Sequence, residues 1–318
     1  MISGYRRRKR AALFACAATL ALGACARDSV TATAADAPAA GAASAPAEKG
    51  PAMWRLADDD SEIFLFGTFH ILPADIDWTT AAFEDAMEAT ATTVTEVDAK
   101  SPAAQAKMAA LVQELGLNPA GVTLTSTLGP DRAARFARLA GQYGLPMQSL
   151  EPLKPWLAMI SLSVMVMQKE GFEAASGAEE TILARAAREG DTVTHLESAE
   201  YQIRALASLD ETEILADFDA SLEQFAEFKA YSQRVLSAWR TGDVEALERE
   251  TLAPMRDSAP GAFDILITAR NRNWAKEIDA LMRGDGDYFI AVGAGHLIGE
   301  GSVVDMLAEK GYAVARVQ

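Results

Sequence analysis

The sequence predicts an α/β fold: a mixed, largely parallel sheet with strand-end histidine loops and a large helical insertion. Three observations point there. Short β-branched or apolar runs alternate with stretches of helical periodicity. The last thirty residues read strand, loop, helix, strand. Two apolar runs, residues 64–66 and 290–292, each end in a glycine followed three positions later by a histidine.

In order along the chain, Arg6, Arg7, Arg8, Lys9 and Arg10 form a basic start, followed by an apolar run over residues 11–24. A membrane-spanning helix needs about 20 residues, so the run is too short to span but fits the apolar core of an export signal. It ends Leu22-Gly23-Ala24-Cys25, which resembles a bacterial lipobox. Residues 1–24 are expected to be a lipoprotein signal peptide and Cys25 the lipidated first residue, holding the protein to a membrane surface without spanning it. Ala26 follows the cysteine where inner-membrane retention would favour Asp, so the outer membrane of a bacterial envelope is expected. Residues 25–52 are rich in alanine and proline and nearly free of large apolar side chains. Such a stretch cannot offset its ordering entropy and reads as a tether. The folded domain is expected at 53–318.

Residues 53–56 and 63–66 flank Asp58-Asp59-Asp60-Ser61 and read as a hairpin with a buried second strand. Residues 80–90 have helical spacing, and the β-branched run 92–97 reads as a strand. Helices are expected at 102–115, 130–143, 154–169 and 178–188, then a strand at 192–196. Residues 156–167 are apolar nearly all round and imply a buried core helix. Residues 209–252 are helix-compatible with a break near Gly242, and 262–282 form another helix. The end reads as strand 288–292, loop 293–301, helix 302–310 and strand 313–317, a unit that implies parallel pairing of its two strands.

With 29 basic and 45 acidic side chains the chain carries −16. Without residues 1–24, 24 basic face 45 acidic side chains, or −21, a charge that repels phosphate backbones and argues against nucleic acid as a partner. The two cysteines are Cys16 and Cys25, so the folded body has no disulfide, thiolate metal site or cysteine nucleophile. There is no GxSxG serine elbow, no HExxH and no GxGxxG fingerprint.

Of three histidines, His70 and His296 share a setting: Phe64-Leu65-Phe66-Gly67-Thr68-Phe69-His70 and Ile290-Ala291-Val292-Gly293-Ala294-Gly295-His296. A glycine closing a buried strand permits a sharp turn or a close approach. The histidine then falls past the carboxyl end of its strand, where open α/β sheets form ligand crevices. One such loop is more often structural; two loops 226 positions apart point to one site assembled by the fold. Glu96 closes a β-branched strand, a costly place for an acid unless it is paired, coordinates something or faces water at an edge. Glu197 follows the strand 192–196 in the same way; His195 lacks a glycine loop and reads as structural. On the helix 262–282, Arg270 and Asn271 either point inward as anion and carbonyl contacts or join Arg272 and Asn273 on a solvated face.

These motifs, together with the Leu153-Lys154-Pro155-Trp156-Leu157 and Leu196-Glu197-Ser198-Ala199-Glu200 segments, resemble the TraB/GumN family across residues 54–317, most specifically at Gly293-Ala294-Gly295-His296-Leu297. That family is similar to the Tiki proteases, metal-dependent peptidases of Wnt ligands with Mn or Co implicated. More distantly it is similar to the erythromycin-esterase and ChaN group. The resemblance implies His70, Glu96 and His296 as the catalytic or metal-binding set. Phe69 stands where many members have Ile or Val, and its ring would narrow the site.

Three functions follow. The leading one is a metal-dependent hydrolase, a peptidase, whose His70, Glu96 and His296 hold a divalent ion that activates water. Nitrogen and oxygen ligands suit Mn, Co or Zn alike. The second needs no metal: one histidine acts as general base, oriented by Glu96. The third is non-enzymatic binding of a peptide or small molecule, as in pheromone-shutdown proteins. In each, the three residues should converge at the carboxyl edge of one sheet. Glu197 is then expected to orient an imidazole, and Arg270 to hold a carboxylate or a substrate carbonyl.

Overall fold

The computed structural model describes residues 50–318; the signal, Cys25 and nearly all of the tether lie outside them. Strands β1 (Met53–Ala57) and β2 (Ser61–Thr68) form the expected hairpin, Asp58 turning the chain by accepting from the N–H of Ser61. A short β3 (Leu72–Pro73) follows, then the helix Ala81–Glu88, capped by Thr80. β4 (Thr92–Thr95) ends one residue before Glu96. Further along come β5 (Phe172–Glu173), β6 (Thr192–His195), β7 (Gly286–Gly293) and β8 (Ala315–Arg316).

Six strands make one sheet in the order β6-β4-β7-β2-β1-β8, while β3 and β5 pair separately. The β6–β4, β4–β7 and β7–β2 pairs are parallel; β1 is antiparallel to both neighbours. The mixed, largely parallel α/β architecture is therefore the one the sequence predicts. One expectation is corrected: β8 does not pair with β7. It crosses to the far side of the hairpin and pairs with β1, because β2 already fills that edge of β7. It keeps the direction of β7, so the strand–helix–strand reading holds in sense but not in adjacency.

β2 and β7 are covered on both faces, with Ile63, Leu65, Phe66, Phe289, Ile290 and Ala291 fully buried, as central parallel strands require. Phe66, Trp78, Phe83 and Phe289 pack together in tilted and edge-on contacts. The helix Pro155–Lys169 is buried over most of its surface, as its sequence predicts. The expected helix from Pro130 follows a kink at Gly129 (φ 75°), which separates it from a preceding helical segment that begins at Leu124. Breaks in the long helical region fall at Glu227 and at Gly242. A π-helical turn, Asp264–Thr268, leads into the helix Ala269–Met282. Such turns recur at functional sites.

Candidate active site at the carboxyl edge of the sheet

Register puts the predicted residues together. Thr68 of β2 lies opposite Gly293 of β7, and Thr95 of β4 opposite Ala291. Three adjacent parallel strands thus deliver His70, Glu96 and His296 to one edge. The convergence shows in their electrostatics: the ionisation of Glu96 is favoured by both histidines, and that of His296 responds to Glu96 and His70.

Arg270 stands at the centre. Its Nη2 donates to Glu96 Oε2 at 2.5 Å and to Glu197 Oε1 at 2.6 Å. Nε donates to both Glu197 oxygens at 3.0 and 3.2 Å. Nη1 donates to His296 Nε2 at 3.0 Å and, more weakly, to the Leu266 carbonyl at 3.4 Å. Its plane lies over the Trp274 ring, 4.6 Å from the centroid. These bonds commit the whole guanidinium to protein, leaving no donor for a substrate carbonyl.

That geometry fixes the tautomer of His296. A guanidinium only donates, so Nε2 must offer its lone pair and the proton sits on Nδ1. Nδ1 then donates to Asn271 Oδ1 at 2.6 Å, and Asn271 Nδ2 donates to the Gly301 carbonyl at 2.8 Å. Burial and the guanidinium push this imidazole's pKa down to about 3. Burial opposes ionisation of Glu96, but Arg270 overcomes it. Both histidines and the Gly293 N–H, which donates to Oε1 at 2.7 Å, add to that pull and hold the carboxyl at about 2. Gln202 Nε2 also donates to Glu96, at 3.1 Å. Glu197 is pushed up by burial, against the pull of Arg270, and its Oε2 accepts from Trp274 Nε1 at 3.1 Å.

His70 differs. Its Nδ1 donates to Glu179 Oε2 at 2.7 Å, while Nε2 is buried and meets no hydrogen-bond partner. Burial lowers its pKa, but Glu179 more than offsets this and raises it overall. Gly177 makes the pairing possible. A Cβ there would lie 2.2 Å from the His70 carbonyl oxygen, so only glycine lets the helix Ala178–Glu189 begin against this loop. The Ala178 N–H donates to the Phe69 carbonyl at 2.9 Å. His70, Glu96, Glu179 and His195 line a cleft of about 440 Å³ that opens to solvent.

Placement of the predicted residues is mixed. Arg270 and Asn271 are 1% exposed and point inward, while Arg272 and Asn273 face solvent. Glu197 touches no imidazole; Glu179 is the acid that orients one, and Glu197 instead secures Arg270. Arg270 holds carboxylates, as one expectation had it, and not a substrate carbonyl. His195 is exposed, its Nδ1 2.8 Å from Thr95 Oγ1. Phe69 turns onto Trp239 in a stack at 5.0 Å and leaves the His70 cleft unobstructed. Glu179, Gln202 and Trp274 escaped the sequence reading; the only signal for Glu179 is the Gly177 helix start.

The expected shared metal does not fit this donor set. His296 Nε2 and Glu96 Oε2, which would face the ion, both accept from Arg270, and a guanidinium cannot ligate a cation. His70 Nε2 is the one predicted ligand atom left unengaged. Among the described residues, no three His, Cys, Asp or Glu side chains are arranged around a common ion position.

The fold and site define an α/β protein with a histidine–carboxylate pair and a buried arginine cluster at the carboxyl edge of a largely parallel sheet. The chain belongs to the TraB/PrgY/gumN family, whose pattern matches residues 52–316. It is similar to the uncharacterized protein YbaP of Escherichia coli, 27% identical over 191 residues, covering 59% of this chain and 69% of that protein. It is also similar to a metalloprotease TIKI homolog of Amphimedon queenslandica, 43% identical over 54 residues, or 16% of this chain and 11% of that protein. Metalloprotease TIKI2 of Xenopus tropicalis is 27% identical over 145 residues, 37% of this chain and 28% of that protein. No solved structure matches.

Proposed function

We propose that this chain is a hydrolase that cleaves peptide bonds, with His70 as general base toward water. The observation that carries this reading is the His70–Glu179 pair. A carboxylate on Nδ1 fixes the tautomer whose Nε2 carries the lone pair, and it stabilises the imidazolium formed when that atom takes a proton. Glu96, ionised in the same cleft, favours the same charge on His70. Arg270, Glu197, Asn271 and His296 are positioning residues that hold Glu96 and the Gly293 loop in place. The similarity to proteins named metalloproteases supports proteolysis as the reaction class. A peptide also suits the cleft's border. β6 is exposed along its length, Val193 and His195 line the cleft, and the Thr192 and Leu196 N–H groups that flank them bond inward to β4's side. An extended backbone added to that outer edge would run toward His70.

The N-terminal sequence supports a location. The chain is read as an exported lipoprotein, anchored through Cys25 at the bacterial envelope, with the outer membrane favoured. Among the described residues no helix is long and apolar enough to cross a membrane. Cys25→Ser should release the protein from the membrane fraction or stall it as a precursor; normal processing with unchanged membrane association would contradict the anchor.

The function is tested by incubating the chain with a peptide mixture and reading products by mass spectrometry. Cleavage should persist in chelator and vanish in His70→Ala. Cleavage lost to chelator and restored by Mn, Co or Zn would return the reaction to a metal; products unchanged in His70→Ala would remove His70 from it.

A further inference from the structure

The outer side of β6 is an open sheet edge. Among the described residues no strand pairs with it, and all four residues of β6 are exposed. Edge strands are commonly blunted by proline, lysine or a bulge. This one reads Thr-Val-Thr-His, with three β-branched side chains and no proline. Thr192 and Leu196 turn their N–H groups toward β4. By strand alternation Val193 and His195 turn theirs, and their carbonyls, outward. The side chains of the same two residues line the His70 cleft. A strand laid on this edge would therefore put every second side chain on the cleft's side.

The cleft has a chemistry of its own. Its volume of about 440 Å³ falls within the roughly 300–1,000 Å³ typical of ligand pockets. Val97, Ala99, Leu183, Ala184, Ala187 and Val193 give it an apolar stretch. Glu96, Asp98, Glu179 and Glu180 line it against one lysine, Lys100, and two imidazoles. With both rings neutral the lining carries −3, and with both protonated it is still negative. Lys100 answers Glu180 at 2.6 Å. Arg270 answers Glu96 from behind the lining, but it serves the buried Glu197 as well. Among the described residues Asp98 and Glu179 form no ion pair with a lysine or arginine; Glu179 pairs with His70. Apolar wall beside unmatched carboxylate suits a side chain with an aliphatic stem and a cationic head.

We propose that the substrate is a basic peptide, added as a strand to the outer edge of β6 with a lysine or arginine side chain lying in the cleft. This deepens the peptidase reading and rests on it for its role. A second copy of the chain is a poor occupant, because pairing two β6 edges would bring two acidic clefts together on bodies that each carry −21 without residues 1–24. The chain's own residues 25–52 are not basic either, with Arg27 and Lys49 against Asp28, Asp36 and Glu48.

The test is isothermal titration calorimetry of the full chain with the peptide acetyl-Thr-Val-Lys-Val-Thr-amide and its versions with norleucine or glutamate in place of lysine. Peptide recovered afterwards is analysed for cleavage, so binding and turnover are read separately. The lysine peptide should bind about tenfold or more tighter than the norleucine peptide, which keeps the stem and lacks the charge. The glutamate peptide should bind weakest, and added salt should narrow the differences. The double variant Asp98→Asn, Glu180→Gln should weaken the lysine peptide severalfold and leave the norleucine peptide unchanged. Val193→Pro, which places a ring on the outer edge where no ladder bond is lost, should weaken all three peptides. Should that variant not fold, the peptides decide alone: N-methylating one alternate set of amides should abolish binding, and methylating the other set should be tolerated.

Equal binding of the lysine and norleucine peptides, or binding indifferent to which amides are methylated, would overturn the proposal. A dimer in sedimentation that dissociates in Val193→Pro would give the edge to a second copy and overturn it too. Selective binding in a chain that cleaves nothing would contradict only the peptidase reading; cleavage without preference for a basic side chain would contradict only this inference.

Discussion

His70 and His296 close adjacent parallel strands with the same Gly-x-x-His pattern, yet their surroundings pull them in opposite directions. His296 is 1% exposed, engaged at both ring nitrogens and held neutral by a guanidinium. His70 leans on one carboxylate, keeps Nε2 unengaged and has a raised pKa. The difference comes from partners brought by other parts of the chain, not from the motif. The helix Ala269–Met282 brings Arg270 and Asn271 to one ring, and the helix Ala178–Glu189 brings Glu179 to the other. A motif that delivers an imidazole to a sheet edge leaves its job to be set by what the helices deliver beside it.

The comparison assigns chemistry to one loop and scaffolding to the other, and variants can break it. The largest effect is expected at His70→Ala, which should lower peptide cleavage about 10²–10⁴-fold, the usual contribution of a general base. Glu179→Gln should give a smaller loss and move the acid limb of the pH–rate profile downward, since the carboxylate that raises the pKa of His70 is gone. An unchanged profile would show that Glu179 does not tune this ring.

The scaffolding side should lose stability instead. Arg270→Met leaves Glu96 and Glu197 buried without their cation and should cost about 3–5 kcal/mol in chemical denaturation. Arg270→Lys should not rescue it, because one ammonium cannot serve two carboxylates and an imidazole at once. Asn271→Ala removes the acceptor for His296 Nδ1–H and should cost about 1–3 kcal/mol.

Acid should act through the same groups. His296 has a folded pKa of about 3 against an ordinary 6.5, so the unfolded chain binds a proton there that the folded chain refuses. Stability is full above about 6.5 and falls as pH drops toward 3. Glu96 adds a loss in the same direction, from 4.5 down to about 2. His70 works oppositely: its contribution is present below 6.5 and fades as pH rises through its raised pKa. The smallest effect is expected at His195→Ala, an exposed side chain, where stability should stay within about 0.5 kcal/mol of the parent.

Much of this was legible in the sequence because strands are local. The β-branched and apolar runs mark β2, β4 and β7, and glycine marks where two of them stop, so the shared edge for His70, Glu96 and His296 follows from strand direction alone. The placement of β8 was not legible: its pairing depends on which edge β2 leaves free, a property of the whole sheet. Nor was Glu179, whose sequence context is an ordinary acidic helix start. Its contact with His70 exists because Gly177 lets that helix approach. The charge on Arg270 was visible, but the number of groups it would bind was not, since Glu96, Glu197 and His296 come from three separate segments. That count is what separates a metal position from a guanidinium position.

The chain has three histidines, so their ring nitrogens can be followed one by one by NMR with ¹⁵N-labelled imidazoles. This titration measures the asymmetry directly. His296 should stay neutral, protonated on Nδ1, down to about pH 4 and show no shift on adding Mn, Co or Zn, while His70 titrates above 6.5. A His296 that titrates near 6.5, or whose Nε2 resonance moves when metal is added, would contradict the account and reinstate the ion at the centre of the site.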